Sequence, residues 1–177
     1  PTRFVSPMTS SSKTTVGTST GRVRVQSFPF LAFYPEGPGS LAAVAPQTVQ
    51  YTWEEDFTYA DQTDPGTVTA PVVPVDLALG LGNTSTSGCE PEDFAGFPAG
   101  AIALMQRGAC AFGQKATNAA AAGAAGAIIF NQGDTEDRKG LLVATLGEDY
   151  EGGIPVLFSS YDNGAFWTRS KGVCRIV

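Results

Sequence analysis

AIALMQRGACAFGQKATNAAAAGAAGAIIFNQ, residues 101–132, decides the fold. Ile102-Ala-Leu-Met105 is an apolar run of strand length, broken by Arg107-Gly-Ala-Cys110. From Phe112 the apolar period lengthens. Phe112, Ala116, Ala119, Ala120 and Gly123 fall at i, i+4, i+7, i+8 and i+11, one face of a helix. That face is almost all alanine and glycine, so the helix is expected over Phe112–Gly123 and close against a sheet, with Gly123 or Gly126 ending it. Ala127-Ile-Ile-Phe130 then reads as a second buried strand. Strand, crossover helix and strand form a βαβ unit with parallel strands.

Within the same stretch, Gln106-Arg107-Gly108, Cys110, Phe112, Lys115, Asn118-Ala119 and Ala122-Gly123-Ala124 fit the pattern QRGxCxFxxKxxNAxxAGA. The pattern resembles the signature of the protease-associated (PA) domain, a non-catalytic module of secreted and lysosomal peptidases and of vacuolar sorting receptors. Weaker similarity to the PA insert of secreted two-zinc aminopeptidases runs upstream through residues 68–100 and 30–38. The resemblance implies a mixed α/β fold: central β-sheets forming a partly open barrel, with the βαβ unit and short flanking helices. Residues 1–20 lie outside it; rich in Ser and Thr with little apolar periodicity, they read as a flexible lead or a single edge strand, which leaves one PA domain expected over 21–177.

The chain has 177 residues, a formal charge of −6 and no histidine. The acidic balance disfavours nucleic acid as a partner. Histidine is the usual general base near neutral pH and the commonest metal ligand, so its absence removes Ser-His-Asp and Cys-His catalysis and nearly every catalytic zinc site. A carboxylate-only hydrolase needs no histidine, but no acidic pair here sits in an apolar context that would raise a pKa. Two-zinc aminopeptidases use histidine ligands, so the resemblance implies that zinc and the catalytic residues belong to a parent catalytic domain outside this chain, and that this chain holds neither cofactor nor metal. No run reaches the ~20 apolar residues of a membrane span. Pro1 reads as a mature or trimmed start, and the expected location is extracellular.

Three cysteines stand at 89, 110 and 174. Cys89 and Cys110 bracket the first strand of the βαβ unit, and the resemblance supports a disulfide between them. Such a bridge closes a loop of about 20 residues, worth roughly 3 kcal/mol in the chain-entropy model. Cys174 is then either a buried thiol of the last strand or the partner of a cysteine outside this chain.

Elsewhere the chain reads as short strands and turns. Arg22–Phe28, Leu31–Tyr34 and Thr48–Trp53 have strand character. Ser10-x-x-Lys13 is part of a polar Ser/Thr run, and Glu54-Glu55-Asp56 is a solvated acidic loop rather than a calcium site. Val68–Asp76 is a strand, placed at a sheet edge because of Pro71 and Pro74. Asn83-Thr-Ser85 is a glycosylation sequon with Asn83 as acceptor. Ile154–Phe158 is a buried strand, and residues 160–171 suit a helix capped by Ser160 or Asp162, with Phe166 and Trp167 against the sheet. Lys115 is cheap to remove if its ammonium group is solvated.

The candidate binding residues follow from the resemblance and from topology. In sorting receptors the loop matching Arg107–Cys110 contacts a bound peptide. A loop at the carboxyl end of a parallel strand is also where α/β sheets bind ligands. Arg107, Gly108 and Ala109, with backbone amides expected to be free, form one lip. Glu148 and Asp149, in the mobile acidic loop Gly147–Gly153, form the other. The expected partners are a peptide or protein substrate and the parent's catalytic domain. A PA insert of a subtilisin-like protease and a cargo-binding receptor domain are the alternatives.

Overall fold

The computed structural model describes residues 24–27, 31–34, 39–45, 47–170 and 172–177. The chain divides into two compact units, Pro1–Gly39 and Ser40–Val177. In the first, β1 (Arg24–Ser27) and β2 (Leu31–Tyr34) pair antiparallel, Arg24 opposite Tyr34. The lead expected over residues 1–20, with Ser10 and Lys13, lies outside the described residues.

The second unit is built on eight strands. They are β3 (Leu41–Ala45), β4 (Val49–Tyr51), β5 (Phe57–Tyr59), β6 (Val68–Pro74), β7 (Ile102–Gln106), β8 (Gly126–Phe130), β9 (Val156–Ser159) and β10 (Val173–Ile176). They form one sheet in the order β4-β3-β10-β6-β7-β8-β9-β5. β6, β7, β8 and β9 are mutually parallel, and the remaining pairings are antiparallel. The two outermost strands, β4 and β5, are consecutive in sequence and separated only by residues 52–56. The sheet therefore has to curl, because its two edges are tethered to each other. Tyr59 Oη of β5 reaches Val177 O, just beyond β10, at 3.1 Å. This is an open, strongly curved sheet, in keeping with the expected mixed α/β fold.

The βαβ unit is as the periodicity predicts. Helix α1 (Phe112–Ala121) joins β7 to β8, and those two strands pair in parallel from Ile102 opposite Gly126 to Gln106 opposite Phe130. Gly123, at φ +86°, closes α1: its N–H bonds Ala120 O (2.9 Å) while Ala124 N–H bonds Ala119 O (3.0 Å). Every residue of β7 and β8 is buried, as expected of parallel strands covered on both faces. Ala103, Met105, Ala127, Ile129, Val156 and Phe158 face the α1 side with Ala116 and Ala119. Ile102, Leu104, Ile128, Phe130 and Leu157 face the opposite side. There they meet Trp167 of helix α2 (Tyr161–Ser170), whose first turn is capped by Ser160 Oγ on Asn163 N at 3.3 Å. Trp167 packs as expected and donates from Nε1 to Tyr51 Oη at 2.6 Å, but Phe166 does not: it is 57% exposed.

β6 corrects another expectation. It is an interior strand, paired with β10 through Val68–Pro71 and with β7 through Val72–Pro74. Its prolines are tolerated because of where the register puts them. Val72 N–H points to β10, bonding Gly172 O at 3.0 Å, and Val75 N–H points to β7, bonding Leu104 O at 3.0 Å. By alternation Pro71 faces the β7 side before that pairing begins, and Pro74 faces the β10 side after that pairing has ended. Neither missing N–H removes a ladder bond.

The first and last residues of the second unit meet. Ser40 and Val177 exchange two backbone hydrogen bonds, each 3.0 Å.

Candidate functional site

The loop Arg107–Ala109 leaves the carboxyl end of β7 and runs straight into α1. Two of its three backbone amides are engaged rather than free: Arg107 N–H bonds Phe130 O (2.8 Å) and Ala109 N–H bonds Ser85 O (3.0 Å). The loop lies so close to residue 85 that a Cβ on Gly108 would collide with Ser85 O, which only glycine avoids. The Arg107 side chain is half-buried, and one of its nitrogens donates to Asn131 Oδ1 at 3.3 Å, at the end of β8.

The acidic loop is fixed at several points. Gly147 N–H bonds Thr145 Oγ1 (3.1 Å), Gly153 N–H bonds Asp64 Oδ2 (3.0 Å), and buried Tyr150 donates from Oη to Ile154 O (3.1 Å). Burial pushes the Tyr150 phenol above its ordinary pKa. Glu148, Asp149 and Glu151 are exposed. Leu146 O sits against Gly113 in the first turn of α1, again too close for a Cβ. Both loops thus adjoin the start of α1, one through the chain and one through packing on Gly113.

Around them lies a polar network that the sequence reading did not identify. Gln106, buried at the end of β7, bridges two loops: Nε2 donates to Gln132 O (2.6 Å) and Ala78 O (3.1 Å), and Oε1 accepts from Ala78 N–H (2.9 Å). Ser87 Oγ donates to Val75 O (2.5 Å) and accepts from Gln106 N–H (3.0 Å). From α1, Gln114 and Asn118 donate to Cys89 O (2.8 and 2.9 Å), and Asn118 also to Gly88 O (3.1 Å). Lys115 is not solvated. It is fully buried, its Nζ donates to Ser87 O, and burial lowers its pKa to about 8 against an attraction from Asp93 that raises it. The Gln, Lys and Asn of the signature therefore fasten residues 75–89 onto the βαβ unit. The available signal was spacing: Phe112, Lys115, Ala116 and Ala119 fall at i, i+3, i+4 and i+7.

Cys89 and Cys110 are disulfide-bonded, with Cα atoms 5.7 Å apart. Residues 90–101, including a 3₁₀ turn at Pro91–Phe94, fold back between Cys89 and β7 to allow this. Cys174 is a free thiol, 1% exposed, and burial pushes its pKa up to about 11. Asn83 is half-buried; its Nδ2 donates to Gly80 O (2.7 Å) and Gln132 O (3.1 Å), so a glycan there would displace one of those bonds. In the acidic run, Asp56 accepts from Thr52 N–H (2.8 Å) and Asn163 Nδ2 (3.2 Å), fixing the link between β4 and β5. Among the described residues no group of three or more His, Cys, Asp or Glu side chains could hold a metal ion. Nor is any helix among them long and apolar enough to cross a membrane.

A protein-family model, the PA domain, matches residues 68–167, more than half of the chain. This chain belongs to the PA domain family. The matched span takes in every strand of the PA domain's parallel set, the signature network and both candidate loops. The PA domain chain is 70% identical over 149 residues to an aminopeptidase of Pseudomonas aeruginosa, covering 84% of this chain and 28% of that protein. Among solved structures it resembles an aminopeptidase from Aneurinibacillus sp. strain AM-1, with TM-score 0.59, 28% identity, and coverage of 89% of this chain and 34% of the other. It also resembles a zinc aminopeptidase from Bacillus subtilis, with TM-score 0.57, 26% identity, and coverage of 88% and 33%. The PA domain chain thus spans about a third or less of the length of these aminopeptidases.

Proposed function

We propose that this PA domain is the non-catalytic interaction and substrate-gating module of a secreted zinc aminopeptidase. The observation that carries the reading is the 70% identity over 149 residues to the Pseudomonas aeruginosa aminopeptidase. Catalysis is assigned to the remainder of such a protein. The zinc named for the Bacillus subtilis relative would lie there as well. The absence of histidine from all 177 residues supports this division, since an aminopeptidase zinc site is ordinarily built on imidazole ligands.

Peptide contact is assigned to the two loops beside the start of α1. Arg107 offers guanidinium donors to a carboxylate beyond the single bond to Asn131, and Glu148 and Asp149 offer exposed carboxylates to an amino group. The contact is shallow, so affinity is low and the contribution is to orientation and access. The test uses the full-length enzyme. Arg107→Ala and the pair Glu148→Gln, Asp149→Asn should raise KM for peptides of several residues several-fold, while hydrolysis of a small aminoacyl chromogenic substrate stays unchanged. Equal effects on both substrate types, or none on either, would overturn the gating role.

A further inference from the structure

Lys115 and the disulfide form a cluster that peptide gating does not use. Lys115 Nζ stands 3.6 Å from Cys89 Sγ, buried, and its other described partner is a neutral carbonyl, Ser87 O. The acid acting on it is Asp93, in the 3₁₀ turn Pro91–Phe94 that also carries exposed Glu92; Asp93 Oδ2 is itself engaged by Glu90 N–H at 3.2 Å. The two cysteines differ in exposure. Cys89 is 5% exposed, whereas Cys110, next after the Arg107–Ala109 loop, is only partly buried.

We propose that Cys89–Cys110 is an exchangeable, redox-responsive disulfide in which Lys115 stabilises the departing Cys89 thiolate. A thiolate of a dithiol reductant attacks Cys110 Sγ. The sulfur–sulfur bond breaks and its electron pair remains on Cys89 Sγ, next to the Lys115 ammonium. The second thiolate of the reductant then displaces Cys110, which takes up a proton. The reductant leaves as its own disulfide, so two electrons pass to the protein and the balance closes. A leaving thiolate of lower pKa departs faster, and a stabilised reduced form makes the disulfide more oxidising. Cys110 also precedes α1 by one residue, Ala111, so its thiolate benefits from the positive end of that helix.

Among the described residues, reduction removes one of two bonds between residues 107–110 and residues 85–89. The other is the hydrogen bond from Ala109 N–H to Ser85 O. The proposal does not depend on peptide binding, and its test does not measure it.

The protein is equilibrated in reduced and oxidised dithiothreitol mixtures, quenched by alkylation and mapped by mass spectrometry. Lys115→Met, checked for fold by circular dichroism, should shift the equilibrium toward the disulfide by about tenfold, or about 30 mV for a two-electron couple, and slow reduction by a similar factor. A folded Lys115→Met with an unchanged equilibrium overturns the proposal. If that variant does not fold, the unaltered protein decides. Brief exposure to the monothiol glutathione should give a mixed disulfide on Cys110, and capture on Cys89 overturns the proposal. In the reduced protein, hydrogen exchange at the Ala109 amide should accelerate, and unchanged exchange overturns the loosening of the loop.

Discussion

Lys115 Nζ donates to Ser87 O from a position with no exposed surface. A helix whose buried face is otherwise alanine and aromatic carries a cation there because it meets an inward carbonyl, Ser87 O, while Gln114 and Asn118 of the same helix serve the neighbouring carbonyls of Gly88 and Cys89. Removing the lysine strands an acceptor, whereas keeping it buries a charge; both cost stability.

The cost of the buried charge depends on pH, and its sign is fixed by the lowered pKa. Below about 8 the ammonium is protonated in both folded and unfolded chains, and the folded state carries the whole desolvation penalty. Between about 8 and 10.5 the folded state has released a proton that the unfolded state still holds, so stability rises with pH in that window. The stability of the wild type minus that of Lys115→Met, from urea unfolding at a series of pH values, should therefore increase from pH 8 to 10.5. Taking the difference cancels the buried tyrosines and Cys174, which act in the opposite direction. A flat difference would show that the ammonium is hydrated.

Gly108→Ala and Gly113→Ala should each destabilise the unit by about 1–3 kcal/mol, because each Cβ meets a backbone oxygen, of Ser85 or Leu146, that cannot swing away. Gly140→Ala is the control, since nothing lies within 4 Å of its Cβ position, and should change stability by less than about 0.5 kcal/mol. Thermal melts of the three variants make the comparison.

Ala119 is fully buried between α1 and the sheet, whereas Ala120 is only half-buried. Ala119→Leu should cost on the order of 1–3 kcal/mol through overpacking, and Ala120→Leu distinctly less. Equal melting temperatures for the two would mean that α1 is rotated about its axis from the position described.

Cys174, held at a pKa of about 11 by burial, should resist alkylation at pH 8 in the native protein and react promptly once guanidinium unfolds it. Native-state labelling at a rate comparable to that of a small free thiol would place the sulfur at the surface.

How much of this was legible in the sequence depends on how many residues share one period. β7, α1 and β8 are long and strongly patterned, and their positions follow from residues 101–132 alone. β3 and β5 were not anticipated, because five and three residues give too few alternations to separate a strand from a loop. β6 was recognised but placed at an edge, since the side faced by each proline's missing N–H is a property of register, which only the neighbouring strands define. Of the two lips of the candidate site, Arg107–Ala109 follows from the resemblance and from topology, and Gly147–Gly153 from its glycines and charge. That Arg107 and Ala109 have engaged amides depends on Phe130 and Ser85, contacts across 23 and 24 residues that no local pattern reports. The burial of Lys115, on which the cost of removing it depends, follows from its place on the helix face and not from its residue type.

The pairing of Ser40 with Val177 has a consequence for architecture. Because Ser40 and Val177 exchange both backbone hydrogen bonds, the segment between them starts and finishes at points about 5 Å apart, one strand spacing. Such a unit can be spliced into a surface turn of another protein without prying that turn open, so its recipient need supply only a tight reversal of the chain. Residues 40–177 grafted between two strands of an unrelated hairpin should leave the recipient's melting temperature nearly unchanged.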